Sequence, residues 1–387
     1  MSIIEKLRKV IISWIQYIRA SIDIKARSQQ SNDIEIYIYL QEKGIYYEDY
    51  GRYLYLLLRF LTFAEGKVAL VKKITFKDYY KMGIYGTKIY NLDNLVLAKK
   101  LPENTERKIF IYDQDIHKWT SKTWKKSIHL ELNIALPIPS HDDWVFMPYT
   151  MHPSTYSTEQ YSNIKSLQNM YRRVRLLFVG NVTHDCYANT DSKSVFEKFK
   201  IMTRATAINT VNSYLRDEIL AIKDWQHMEV ILNDDYQQKA IILETNKISF
   251  KVPQTKWLEV LAKSDFFLCP PGVSMPLCHN AIESMSVGTI PVINYPNWFF
   301  PSLNHLENCI KFTNKEDLIE AIKLVMNMEK PQIEQLQKNV IEYYKKYLSC
   351  DSFLANTIYN DKPKLTVFMN AQTDYIQDIS KDSIILN

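Results

Sequence analysis

Residues 264–296 read SDFFLCPPGVSMPLCHNAIESMSVGTIPVINYP, and this stretch decides the fold. The apolar run 266–269 (FFLC), bounded by turn residues, predicts a buried strand. Pro270, Pro271 and Gly272 stop it and turn the chain. Gly272 admits dihedrals that other residues avoid and the close approach of a ligand. A helix is expected over 276–287, with Pro276 in the favoured first turn and Gly288 just past the end as its C-cap. Residues 289–294 then return as a strand, which completes a βαβ unit. The loop and helix start of such a unit lie at the carboxyl edge of the sheet. Unpaired N–H groups and the helix dipole there favour a phosphate. His279 and Asn280 are placed to meet a diphosphate. Glu283, one turn beyond His279 on the same face, is placed to accept hydrogen bonds from ribose hydroxyls.

Alternation continues on both sides. RLLFV at 175–179 begins the series. Further expectations are a helix over 157–171, a helix near 194–216, a strand at 228–232, a helix near 235–244, a short strand around 248–250 and a helix at 255–264. Helices over 315–328 and 331–349 close it. The first half opens with IEIYIYLQ at 34–41, whose Ile34, Ile36, Ile38 and Leu40 alternate as in a strand. A helix at 48–64 follows, then apolar runs at 68–71, 95–98, 109–112 and 144–147. The prolines of PYTMHP at 148–153 change the chain direction. The expected fold is α/β with two Rossmann-like domains. The expected divisions are an amphipathic helix over 1–28, an N-terminal domain over 29–153, a C-terminal domain over 154–350 and a polar tail over 351–387 with one apolar patch at 365–368.

Bulk properties narrow the function classes. With 387 residues, 46% hydrophobic and 24% charged, the chain is of globular type and long for one core. Only 8 glycines exclude Gly-rich phosphate loops. A formal charge of +5 without a long basic run argues against nucleic acid and suits an anionic small ligand or an acidic membrane surface. Five scattered cysteines form neither a disulfide framework nor a zinc site, which suits a reducing cytoplasm. At the N-terminus, Ile4, Leu7, Ile11, Trp14, Ile15 and Ile18 recur at helical spacing among Lys6, Lys9, Arg19, Lys25 and Arg27. Two readings stay open: a basic amphipathic helix on an anionic membrane, or a first helix packed on the body of the protein.

The stretch 264–296 resembles the donor half of GT-B glycosyltransferases, and most closely the exostosin-like group. The shared pattern is an apolar strand, Pro270-Pro271-Gly272, a helix with acidic Glu283, then Gly288, Ile290, Pro291, Val292 and Ile293. RRVRLLFVGN at 172–181 is similar to the start of that family's C-terminal domain, and Arg204 occupies the place of an arginine on the following helix. The resemblance covers roughly residues 145–350. It implies two Rossmann-like domains facing across a cleft and transfer of a sugar from a nucleotide donor to a hydroxyl of a glycan or lipid-linked acceptor. The nucleotide sugar is a co-substrate, and no metal or other cofactor is implied. Gly180 and Asn181 would face the phosphates, and Arg204 would neutralise the leaving diphosphate. Met275 stands where retaining enzymes of a common type carry a second Glu, which favours inversion. Inversion needs a general base; Asp113, Asp115 and His117 in IYDQDIH and His152 are the candidates, with Asp115 and His152 ranked equal. Synthesis of cell-surface polysaccharide at the cytoplasmic face of a membrane is the expected setting.

Other readings compete. Asp113-Gln114-Asp115 also fits the metal-binding DxD of GT-A enzymes. A nucleotide-sugar epimerase of GT-B fold would need no acceptor, and a glycan- or nucleotide-binding module would release no nucleotide.

Overall fold

In this computed structural model the described residues are 3–29, 34–41, 43–72, 74–183, 193–273, 275–370 and 374–386. They form the strands β1 (Ile34–Tyr39), β2 (Lys67–Leu70), β3 (Leu95–Leu97), β4 (Ile109–Tyr112), β5 (Lys126–Glu131), β6 (Trp144–Met147), β7 (Val174–Gly180), β8 (Gln237–Glu244), β9 (Ser264–Cys269), β10 (Ile290–Ile293), β11 (Ile310–Lys311) and β12 (Lys364–Met369). Two parallel sheets result, ordered β3-β2-β1-β4-β5-β12-β6 and β11-β10-β9-β7-β8. The chain divides into two units. Unit 1 holds Met1–Ile134, Pro139–Met147 and Cys350–Tyr375; unit 2 holds Ala135–Ile138, Pro148–Ser349 and Ile376–Asn387. Each is an α/β unit of Rossmann type built on one sheet.

In unit 1, helix α1 (Ile3–Gln29) lies against the body. Its Ala20 and Ile24 are buried, and Trp14 meets Phe76 edge-on at 4.7 Å. The Tyr17 hydroxyl donates to the Ile74 carbonyl at 3.0 Å. Helix α2 (Arg52–Leu61) buries eight of its ten residues. Helices α3 (Phe76–Lys81) and α4 (Ile84–Tyr90) complete the packing beside α1. Phe110, Trp124, Tyr37, Val96 and Ala69 form one core cluster on the sheet.

In unit 2 the central strands read as continuous apolar runs because both faces are covered. All six residues of β9 and all four of β10 are buried. Helix α5 (Arg204–Leu215) starts at an N-cap, Thr203, whose hydroxyl accepts from Thr206 N at 3.3 Å. Helix α6 (Trp225–Ile231) starts at Asp224, which accepts from His227 N at 2.8 Å. Helices α7 (Trp257–Ala262), α8 (His279–Ser286), α9 (Lys315–Asn327) and α10 (Lys330–Tyr343) follow.

Several local expectations change. Residues 228–232 lie on helix α6 and its cap rather than a strand, while the helix expected over 235–244 is strand β8. The helix expected over 157–171 breaks into two four-residue helices, Glu159–Ser162 and Ile164–Leu167, and no strand forms at 248–250. The apolar patch in the polar tail is β12, seated between β5 and β6.

Candidate functional site

The order β11-β10-β9-β7-β8 sends the chain one way from β7 to β8 and the other way to β9. The topological switch point therefore lies between β7 and β9, and the crevice outside its carboxyl ends is where such sheets bind ligands. Gly180 ends β7, and Pro270–Gly272 follow β9. Arg204, the first residue of α5, joins the two ends. Its Nε and Nη2 donate to the Pro271 carbonyl at 3.1 and 2.9 Å, and its Nη1 donates to the Asn181 carbonyl at 3.1 Å. Nη2 also reaches Cys278 Sγ at 3.5 Å. A planar fork of donors suits this double engagement better than an ammonium. The side chain is buried, so its charge is held inside the loop cluster.

Gly272 earns its place by packing. A Cβ there would come within 2.6 Å of the Met275 carbonyl oxygen and 2.8 Å of that of Leu277. Its N–H donates to Pro276 O at 2.9 Å, which closes the loop on itself. Gly288, at φ 77°, stops α8 in the left-handed conformation that glycine favours. The side chain of the N-cap of α8, Cys278, accepts from Arg204 and caps none of the helix N–H groups, so the helix starts without a capping side chain. His279 and Asn280, half-buried, open that helix.

His152 belongs to the same unit and its ring centroid lies 5.1 Å from that of His279. The Ser154 backbone N–H donates to His152 Nδ1 at 3.3 Å. That nitrogen is thus the acceptor, and in the neutral ring Nε2 carries the proton.

Glu283 is wholly buried. Its Oε1 accepts from the His152 backbone N–H at 3.0 Å and from the Thr155 hydroxyl at 2.9 Å, and its Oε2 accepts from Trp257 Nε1 at 2.6 Å. The expectation was a carboxylate open to ribose. Here it ties the 152–155 segment and α7 to α8. Burial pushes its pKa up and the three donors pull it down, leaving about 7. Thr155 and Trp257 carry no sequence signal for this role, since the contacts span 128 and 26 residues. Tyr295, just after β10, is a second residue that sequence reasoning passes over. It is buried, its hydroxyl has no hydrogen-bond partner among the described residues, and Cys269, Cys278 and Arg204 lie within electrostatic range of it.

Unit 1 has its own switch point, between β1 and β4. Asp113 follows β4 there, and its Oδ1 and Oδ2 accept from the Gln41 N–H beyond β1 at 2.8 and 2.9 Å. His129 Nε2 lies 3.3 Å from the Asp113 carbonyl. Asp115 is exposed and accepts from the Thr120 hydroxyl, and His117 is exposed at the start of the next short helix. Among the described residues, no three His, Cys, Asp or Glu side chains are grouped so as to hold a metal ion. Four described cysteines are free and buried, and Cys186 lies outside the described residues.

No family model matches the chain, and no curated protein matches it in sequence. Among solved structures, it is similar to the Candida albicans trehalose-6-phosphate phosphatase N-terminal domain, with 8% identity over 84% of this chain and 96% of that one, at a TM-score of 0.41. Anabaena Alr3699/HepE in complex with UDP is similar at 9% identity, 82% and 97% coverage and a TM-score of 0.38. The UDP-GlcNAc 2-epimerase from Methanocaldococcus jannaschii is similar at 11% identity, 81% and 99% coverage and a TM-score of 0.29.

Proposed function

We propose that the protein is an inverting glycosyltransferase of GT-B type, within the exostosin-like group, that moves a sugar from a nucleotide donor to a hydroxyl of a glycan or lipid-linked acceptor. One observation carries the reading: a buried guanidinium spans the switch point of unit 2 beside an uncapped helix start. Both features favour a diphosphate at that edge. Gly180, Asn181, Pro271, Gly272, His279 and Asn280 frame the diphosphate. Arg204 fixes the two loops and lends its charge, and Glu283 positions the His152 segment. His152, whose ring lies beside that of His279 at the start of α8, is one of the two candidates for the general base. Asp115, exposed in unit 1, is the other candidate, and the two rank equal. In the transfer, the acceptor oxygen bonds to the anomeric carbon as the bond to the nucleoside diphosphate breaks, and the acceptor proton goes to the general base, Asp115 or His152.

A thermal-shift panel of UDP, GDP, CMP and dTDP tests the donor site, because a ligand that binds the native state raises the melting point. One nucleotide is expected to stabilise the protein; no shift with any of the four would sink the assignment. Nucleotide release that depends on added acceptor separates a transferase from an epimerase. Turnover unaffected by chelator separates it from a metal-dependent Asp113/Asp115 enzyme.

The same proposal places the enzyme on the cytoplasmic face of an anionic membrane, in cell-surface polysaccharide synthesis. Helix α1 packs on unit 1 through one face, while Ile4, Leu7, Ile11, Ile15, Ile18 and Ile22 form an exposed stripe on the other. The helix has six basic residues against two acidic ones, which is most of the chain's +5. No helix among the described residues is long and apolar enough to cross a membrane. An Ile11→Ser/Ile15→Ser variant should lose sedimentation with phosphatidylserine vesicles and stay folded. Equal sedimentation of variant and wild type would overturn the membrane reading.

A further inference from the structure

A cavity of about 850 Å³ opens at the carboxyl edge of the unit 2 sheet, away from the switch point, beyond β10 and β11. Its volume falls in the range of small-molecule sites. The loop before α5, the loop after β10, the start of α9 and the segment around Lys381 and Leu386 enclose it. Phe199 and Trp298, packed edge to face at 5.6 Å, form an apolar wall.

Charge and hydrogen-bonding capacity define what fits. Lys200, Lys311, Lys315 and Lys381 line the cavity against a single acid, Glu316. Lys200 holds a left-handed φ of 53°, a conformation that costs free energy in a residue with a Cβ and that the fold keeps at the cavity rim. Asn294, at the end of β10, spends its Nδ2 on the Met202 carbonyl at 3.5 Å. Its Oδ1 is buried and lacks a hydrogen-bond partner among the described residues. An acceptor left in that state is costly. Tyr295 also lines this cavity, and its hydroxyl is within the electrostatic influence of Arg204 and Cys278.

We propose that this cavity binds an acidic sugar unit of the glycan substrate, a pyranose bearing a carboxylate or a phosphate. The lysines take the anion, and the Phe199–Trp298 wall meets the apolar face of the ring. The identity of the ligand as a substrate rests on the glycosyl-transfer reading; the binding itself does not.

The test is ligand-observed NMR on the full chain with glucuronate, glucose 6-phosphate and glucose. Both acids should bind, and glucose about tenfold more weakly. The Lys311→Ala/Lys315→Ala variant, altered only at exposed side chains, should weaken the acids by about tenfold and leave glucose unchanged. The tighter of the two acids identifies carboxylate or phosphate as the recognised group. UDP and the acidic sugar should bind together. Glucose binding as tightly as the acids, acid binding untouched by the lysine variant, or competition between UDP and the sugar would each overturn the proposal. UDP binding without sugar binding defeats the cavity proposal alone; sugar binding without any nucleotide binding defeats the donor-site reading alone.

Discussion

The two switch points share a topology and differ in the sign of the group that spans them. In unit 1 a carboxylate, Asp113, accepts from the backbone N–H of Gln41. In unit 2 a guanidinium, Arg204, donates to the backbone carbonyls of Asn181 and Pro271. Each clasp consumes one kind of backbone group. The acidic clasp uses up a donor and leaves a negative edge. The basic clasp uses up acceptors and leaves a positive edge beside the uncapped start of α8. The difference gives the two edges opposite local character, although sheet order alone would treat them alike.

The comparison breaks most sharply at Gly272. A Cβ there runs into backbone oxygens at 2.6 and 2.8 Å, so Gly272→Ala should cost about 4 kcal/mol. Denaturant unfolding checks it, and an unchanged midpoint would mean that the loop is not packed as described. Next comes the pH dependence of Glu283. Its folded pKa of about 7 lies above the ordinary carboxylate value of 4.5. Its contribution to stability is therefore full below pH 4.5 and lost as pH rises through about 7, a change of about 3 kcal/mol. Glu283→Gln should flatten the melting temperature across that window, and a retained slope would assign it to other groups. Arg204→Lys keeps the charge and loses the fork, so about 2 kcal/mol of stability should go with the unpaired carbonyls. Nucleotide affinity should fall with it, and an intact affinity would free Arg204 from the donor site. Asp113→Asn, at the half-exposed clasp of unit 1, should cost about 1 kcal/mol or less and leave nucleotide binding unchanged by thermal shift.

The sequence carries the βαβ unit at 264–296 almost complete, because its signals are local: an apolar run, proline and glycine punctuation, and a left-handed stop at Gly288. It misreads 228–244 for a physical reason. Met228 and Ile231 are buried three apart while Val230 is exposed, so MEVIL has helical rather than strand period. β8 buries Ala240, Ile241, Leu243 and Glu244 on both faces and shows no alternation. β5 is hidden by Lys126, which alternates with Ile128 and Leu130 yet is buried with its ammonium on the carbonyls of Thr357, Ile358 and Asn360. The residue types of the site are legible, but their pairings are not. Arg204 meets Pro271 across 67 positions and Thr155 meets Glu283 across 128, and nothing local encodes either contact.

The place of β12 bears on how the protein comes into being. In the seven-stranded sheet β6 pairs with β12 alone, between which and β4 stands β5. During synthesis residues 144–147 thus leave the ribosome more than two hundred residues before the strand that gives them a partner. The five strands of unit 2 are all made in the interval. The sheet that begins first receives its last strand last, and its open edge at β5 needs guarding against wrong partners until residues 364–369 arrive.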